Sequence, residues 1–194
     1  MKKIFRSCAM IAFLSLIILT VSGYPLWAAT YRGKVQTTDA TYGSGDSFYN
    51  KNLSIIPYSP AIPTALTITG GTTILNGSTV QGWRGIFVDP SGSYAMVKLY
   101  GASVSTLVNI IPGSYWAAVA LEGTGAWAEI YDSTITGNGV GTHGLLAANS
   151  AHAWITNSSI TANGINSNGL YAYGGDYYIA MSGGSVTVNG AGGS

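Results

Sequence analysis

The side chains able to do acid–base chemistry are few. Seven carboxylates, Asp39, Asp46, Asp89, Glu122, Glu129, Asp132 and Asp176, form the whole acidic complement. Glycoside hydrolysis needs two carboxyl groups held at a set separation. Glu129 and Asp132 lie closest together, but the residues that align with them in neighbouring repeats are Lys98 and Gly101 on one side and Trp154 and Asn157 on the other. No second carboxylate stacks on either, so Glu129 reads as a solvated outward residue and Asp132 as an acceptor at a corner. His143 and His152 have no Asp, Glu or Cys at ligand spacing, and both read as satisfied or solvated histidines. Gly137-Asn138-Gly139-Val140-Gly141 is Gly-rich but opens no helix, so it makes no phosphate cradle. The Gly-Gly-Xaa-Gly-Xaa-Asp calcium repeat does not occur. No catalytic residue, metal or cofactor is assigned.

A repeat must position whatever chemistry remains. Four segments align without gaps: Lys98-Leu99-Tyr100-Gly101-Ala102-Ser103-Val104-Ser105, Glu129-Ile130-Tyr131-Asp132-Ser133-Thr134-Ile135-Thr136, Trp154-Ile155-Thr156-Asn157-Ser158-Ser159-Ile160-Thr161 and Ala180-Met181-Ser182-Gly183-Gly184-Ser185-Val186-Thr187. Their anchors Val104, Ile135, Ile160 and Val186 are 31, 25 and 26 residues apart. A looser fifth copy is read at Ile68-Thr69-Gly70-Gly71-Thr72-Thr73-Ile74. The second residue of each copy is apolar (Leu99, Ile130, Ile155, Met181), as is the residue two before it (Val97, Ala128, Ala153, Ile179). That alternation marks a strand with one buried side. A small or polar corner follows, where Gly101, Asp132, Asn157 and Gly183 align, then a second short strand around the anchor. Asn-Gly closes three copies, at Asn138-Gly139, Asn163-Gly164 and Asn189-Gly190, and both residue types tolerate the positive φ of a tight corner.

One such repeat cannot bury its apolar side alone. Stacked repeats can, with equivalent strands paired in parallel about 4.8 Å apart. The predicted fold is all-β, a single-stranded parallel β-helix, with Val104, Ile135, Ile160 and Val186 as one interior ladder. A β-sandwich shares the short strands and turns but gives no reason for residue-level alignment at a near-constant period.

Counting back eight positions from the anchors reaches Trp127, His152 and Tyr178, with Trp154 two residues further along the same outward side. An exposed aromatic row of this kind can stack on sugars or dock a protein, and it can equally stabilise neighbouring strands through cross-strand pairing. A glycan or a protein is the partner such a row would take. Beyond Ala29 only five basic residues, Arg32, Lys34, Lys51, Arg84 and Lys98, stand against the seven acidic ones. Nothing there follows a phosphate backbone, so nucleic acid is not an expected partner.

The first residues carry an address. Met1-Lys2-Lys3 and Arg6 precede a low-polarity run from Ala9 to Val21, with small residues at Ala28 and Ala29. This is the layout of a cleavable signal peptide over residues 1–29, cut after Ala28 or Ala29, and the run is short for a membrane span. The single cysteine, Cys8, falls inside it, leaving a thiol-free exported chain. Residues 30–65, with a loop at Tyr42-Gly43-Ser44-Gly45-Asp46 and prolines at 57, 60 and 63, read as an irregular N-terminal cap, since proline cannot donate to a ladder. Residues 66–194 read as the coils.

Gly144-Leu145-Leu146-Ala147, Asp132-Ser133-Thr134-Ile135-Thr136 and Gly169-Leu170-Tyr171-Ala172, together with the leader and the cysteine-free remainder, resemble the passenger domains of bacterial autotransporters, the pertactin-like β-helical adhesins. The likeness covers about residues 66–190. It implies a right-handed parallel β-helix, export to the cell surface or beyond, and adhesion to a host-surface glycan or protein. A carbohydrate-active β-helix enzyme is the competing expectation. Autotransporters end in a membrane barrel of alternating strands, whereas this chain stops at Gly192-Gly193-Ser194 directly after a coil. The expectation is therefore either a truncated passenger with a missing downstream barrel or a likeness to the solenoid alone, with a periplasmic location if the barrel is truly absent and self-association through the open C-terminal end.

Overall fold

Period-two alternation in short runs, broken by residues that accept unusual backbone angles, builds half-buried strands. The computed structural model describes residues 28–50, 64–90, 94–107 and 116–194. Every regular element among them is a strand, and the strands pair in parallel.

The strands recur in three ladders. The first runs through β1 (Thr30–Arg32), β4 (Ser47–Asn50), β7 (Thr79–Gly82), β10 (Ser103–Thr106) and β13 (Thr134–Gly137). The second runs through β2 (Lys34–Gln36), β5 (Thr64–Ile68), β8 (Arg84–Val88), β11 (Trp116–Glu122), β14 (Thr142–Ala148) and β16 (Leu170–Tyr173). The third runs through β3 (Ala40–Tyr42), β6 (Gly71–Asn76), β9 (Ala95–Tyr100) and β12 (Ala126–Tyr131). Two long strands, β15 (His152–Ala162) and β17 (Tyr178–Val188), give their first halves to the third ladder and their second halves to the first. The first and third ladders thereby join into one 11-stranded sheet, and the second is a 6-stranded sheet. Parallel strands in curled sheets, with each early strand paired to the third one after it, are compatible with a β-helix or solenoid.

All three ladders send their apolar side chains into one core. Val104, Ile135 and Ile160 meet Leu66, Ile86, Val119 and Leu145 from the second ladder and Leu99, Ile130 and Ile155 from the third. Each large side chain so buried contributes about 1.5–3 kcal/mol. Val104, Ile135, Ile160 and Val186 are consecutive in-register partners. The first three are fully buried, whereas Val186 is 43% exposed, because β17 pairs only with β15 and has no strand on its far edge among the described residues.

At the corner between the third and first ladders, Gly101, Asp132, Asn157 and Gly183 occupy equivalent positions with φ of 58°, 48°, 49° and 70°. This left-handed geometry suits Gly, Asn and Asp, whose short or absent side chains meet little steric cost there. Beside them, the buried Ser133 accepts the Ala102 N–H at 3.1 Å and donates to the Tyr131 carbonyl at 2.7 Å. Ser158 accepts the Ser133 N–H at 3.1 Å and donates to the Thr156 carbonyl at 2.8 Å. Inward-turned hydroxyls thus satisfy backbone groups that the corner takes out of the ladder. An outer ladder of amides runs parallel to this, Asn189 donating to Asn163 at 2.7 Å and Asn163 to Asn138 at 2.8 Å.

Three details depart from the sequence reading. Residues 30–50 are not irregular: β1 to β4 pair in register with β4 to β7, and Phe48 continues the anchor column below Val80. The expected loop is only the turn Gly43–Asp46, closed by Asp46, which accepts the Gly43 N–H at 2.9 Å and the Ala29 N–H at 2.8 Å. The fifth copy lies six residues later than expected. Ile74 is the partner of Lys98 and Val80 of Val104, so the copy is Ile74-Leu75-Asn76-Gly77-Ser78-Thr79-Val80-Gln81. The expected leader to Trp27 and the three prolines lie outside the described residues.

Candidate functional site

The outward side of the third ladder carries the aromatic residues. Strand pairing puts Met96, Trp127, His152 and Tyr178 in one column, and Lys98, Glu129 and Trp154 in the next. Trp154 stacks diagonally on Trp127, with ring centroids 4.7 Å apart and planes 24° from parallel. His152 stacks on Trp127 at 4.9 Å and 23°. Tyr178 tilts against both His152 and Trp154, at 6.5 Å and 5.8 Å. At the other end Tyr94 tilts against Trp127 at 6.4 Å, its hydroxyl 3.2 Å from the Met96 sulfur. The four residues singled out from sequence are therefore brought together as one contiguous group. Trp127, His152 and Trp154 are half-buried, while Tyr178 is 50% exposed.

The stacking decides what this surface offers. Trp127 has one ring face against Trp154 and His152, so these rings present mainly their rims outward. Ring faces are open chiefly at the two ends, near Tyr94 and Tyr178, both substantially exposed. His152 Nδ1 lies buried in the slab without a hydrogen-bond partner among the described residues.

Beside the slab, Lys98 and Glu129 are in-register partners and form a 2.8 Å ion pair. Glu129 is not simply solvated as its position suggested: a cross-strand cation holds it. The hydrogen bond to Glu129 raises the Lys98 pKa above its ordinary value. Tyr100 and Tyr131 stack alongside at 5.1 Å with planes 4° apart. Partial burial raises the phenol of Tyr131, and Glu129 adds to the shift; Tyr94 is raised chiefly by burial too. The region therefore combines a ring slab, one compensated ion pair and neutral phenols.

Sequence reasoning missed Tyr94, Met96 and the Tyr100–Tyr131 stack. Counting back eight positions from Val104 reaches Met96, which extends the column with a thioether instead of a ring. Tyr100 and Tyr131 do occupy the same place in two aligned copies, and that signal was readable.

A second polar group sits on the outward side of the second ladder. Arg84 lies 3.5 Å from Glu122 with its guanidinium 4.1 Å over the Phe87 ring. Burial lowers the Arg84 pKa, and the Glu122 charge opposes that shift. Ala117, Ala120 and Leu146 are fully buried nearby, with Phe87, Tyr171 and Tyr173 packed against them. His143 lies within β14. It is buried, stacked on Tyr171 at 4.4 Å, and accepts the Asn168 N–H on Nδ1 at 3.0 Å. Among the described residues no three His, Cys, Asp or Glu side chains gather as metal ligands.

The chain matches no protein-family model, no curated protein and no solved structure.

Proposed function

We propose that this chain is a parallel β-helix of autotransporter-passenger type, exported to the cell surface or beyond, which binds a protein partner through the aromatic surface and performs no catalysis. The observation that carries the reading is the contiguous slab of Trp127, His152, Trp154 and Tyr178, flanked by Tyr94 and Met96. Trp, Tyr and Met are the residue types enriched in protein interfaces, and Trp and Tyr supply much of their energy. Rings that spend their faces on one another retain rims and apolar area, which suit a protein surface better than the flat stacking a pyranose needs. The signal-peptide layout of residues 1–29 and the period near 25 residues support export of a repeat protein. Self-association through the exposed edge of β17 belongs to the same reading.

The test is solid-phase binding of the purified exported chain to a panel of extracellular-matrix proteins and to a glycan array. The expected result is binding to a protein that Trp127→Ala and Trp154→Ala each weaken at least tenfold, with unchanged circular dichroism. Binding confined to glycans would shift the partner class. Polysaccharide cleavage abolished by Glu122→Gln would replace the reading with an enzyme.

A further inference from the structure

The first ladder presents a surface of a different kind. Thr134 and Thr136 project outward from β13, Ser103 and Ser105 stand in register on β10, and Ser159 and Thr161 stand in register on β15. The same two-column pattern continues once more on β17. Pairing along these strands is uninterrupted, so the hydroxyls lie on a two-dimensional grid. Its spacing is roughly 4.8 Å between strands and roughly 6.6 Å between alternate residues of one strand. All are exposed or half-exposed. Among the described residues only a 3.4 Å contact between Ser185 and Ser159 joins any two of them. Among the described residues Ser103, Ser105, Thr134, Thr136 and Thr161 have no side-chain hydrogen-bond partner.

Charge and shape select the occupant. The two columns carry no charged residue from β7 to β17, so an ionic polymer finds no counter-charge. They carry no ring from β7 onward, so a sugar finds no stacking platform. The pattern gives way at Tyr49 and Gln81, which line a shallow depression with Ser47, Phe48 and Thr79, and the flat part therefore begins at β10. What remains is a rigid, neutral grid of groups that each donate and accept. Its shorter repeat is close to the shorter oxygen repeat of hexagonal ice. A fixed grid of such groups can order first-shell waters at a low immobilisation cost.

We propose that the hydroxyl grid of β10, β13, β15 and β17 is a second binding site, whose ligand is an ordered water lattice, the surface of ice. The proposal is independent of the aromatic surface. It is tested by freezing a dilute solution of the whole exported chain slowly around a cold finger, measuring its partition into ice, and measuring ice recrystallisation in parallel. The wild-type chain should partition into ice several-fold more than an unrelated protein of similar size and should slow recrystallisation. Thr136→Tyr and Thr161→Tyr, which raise a bulky group from the grid at positions where strands accept aromatics, should each lower the partition at least fivefold. Trp154→Ala should leave it unchanged. Circular dichroism checks folding, and Ser105→Lys serves in place of any variant that fails to fold. No enrichment of the wild-type chain, or equal enrichment of the grid variants, overturns the proposal. So does retention on microcrystalline cellulose that the grid variants abolish while ice partition stays the same.

Discussion

The two halves of β15 are built alike inside and differently outside. Ala153 and Ile155 in the first half, and Ile160 and Ala162 in the second, are all buried and stack on equivalents in β12, β13 and β17. Outward, the first half carries His152 and Trp154 in a ring slab, and the second half carries Ser159 and Thr161 in a hydroxyl grid. Asn157, at φ 49°, turns one into the other. Inward positions answer to the core, where a mismatch costs stability. Outward positions answer only to strand propensity and solvent, and so are free to carry binding chemistry.

The largest effects should come from inward positions, equally in both halves. Ile155→Asp and Ile160→Asp should each cost more than about 4 kcal/mol and leave no cooperative unfolding transition, because each buries an unpaired charge. Val186→Asp, in the same column as Ile160 but 43% exposed, should still unfold cooperatively in urea. A Val186 variant as damaging as the Ile160 variant would mean that β17 is covered. The corner comes next. Asn157→Ala should cost about 1–2 kcal/mol for placing an ordinary side chain in the left-handed region, and Asn157→Gly should be near neutral. An Ala variant as stable as the Gly variant would show that the corner does not hold this geometry in solution.

Smallest should be the ion pair beside the slab. Lys98→Met should cost less than about 1 kcal/mol, since partly exposed pairs contribute little. Its pH dependence has a definite sign. Lys98, Tyr94 and Tyr131 all have raised folded pKa values. Their contribution is therefore fully present below the ordinary Tyr and Lys range and is lost as pH rises through the folded values, above about 10. Urea midpoints measured from pH 8 to 11 should fall at the alkaline end for the wild type.

Much of the architecture was legible because the copies from Lys98 onward align without gaps and keep apolar residues at fixed places. From Lys98 onward, a Gly, Asp or Asn at each corner made the register readable. It was lost upstream for physical reasons. Ile74-Leu75-Asn76-Gly77 is a good copy, but Ile68-Thr69-Gly70-Gly71 imitates its apolar-to-glycine transition six residues earlier. In residues 30–50 the strands are only three or four residues long, too short for alternation to show, and rings replace aliphatic residues in the column, where Tyr31 and Phe48 stack at 4.9 Å. The aromatic row was legible from spacing alone. Its diagonal stacking was not, because which ring faces are used up depends on rotamers. The Arg84–Glu122 pair joins β8 to β11 outside the aligned copies, so nothing in the repeat pointed to it.

The central claim is that protein binding belongs to the aromatic side of the stacked strands and that the fold beneath is indifferent to it. Two substitutions on the same strand test this most directly. Trp154→Ala and Thr161→Tyr should be titrated side by side against the protein captured by the wild-type chain, with thermal unfolding followed in the same samples. The account predicts at least tenfold weaker binding for Trp154→Ala, wild-type binding for Thr161→Tyr, and unfolding temperatures within a few degrees of wild type for both. Equal loss of binding in the two variants, or wild-type binding by Trp154→Ala, would contradict it.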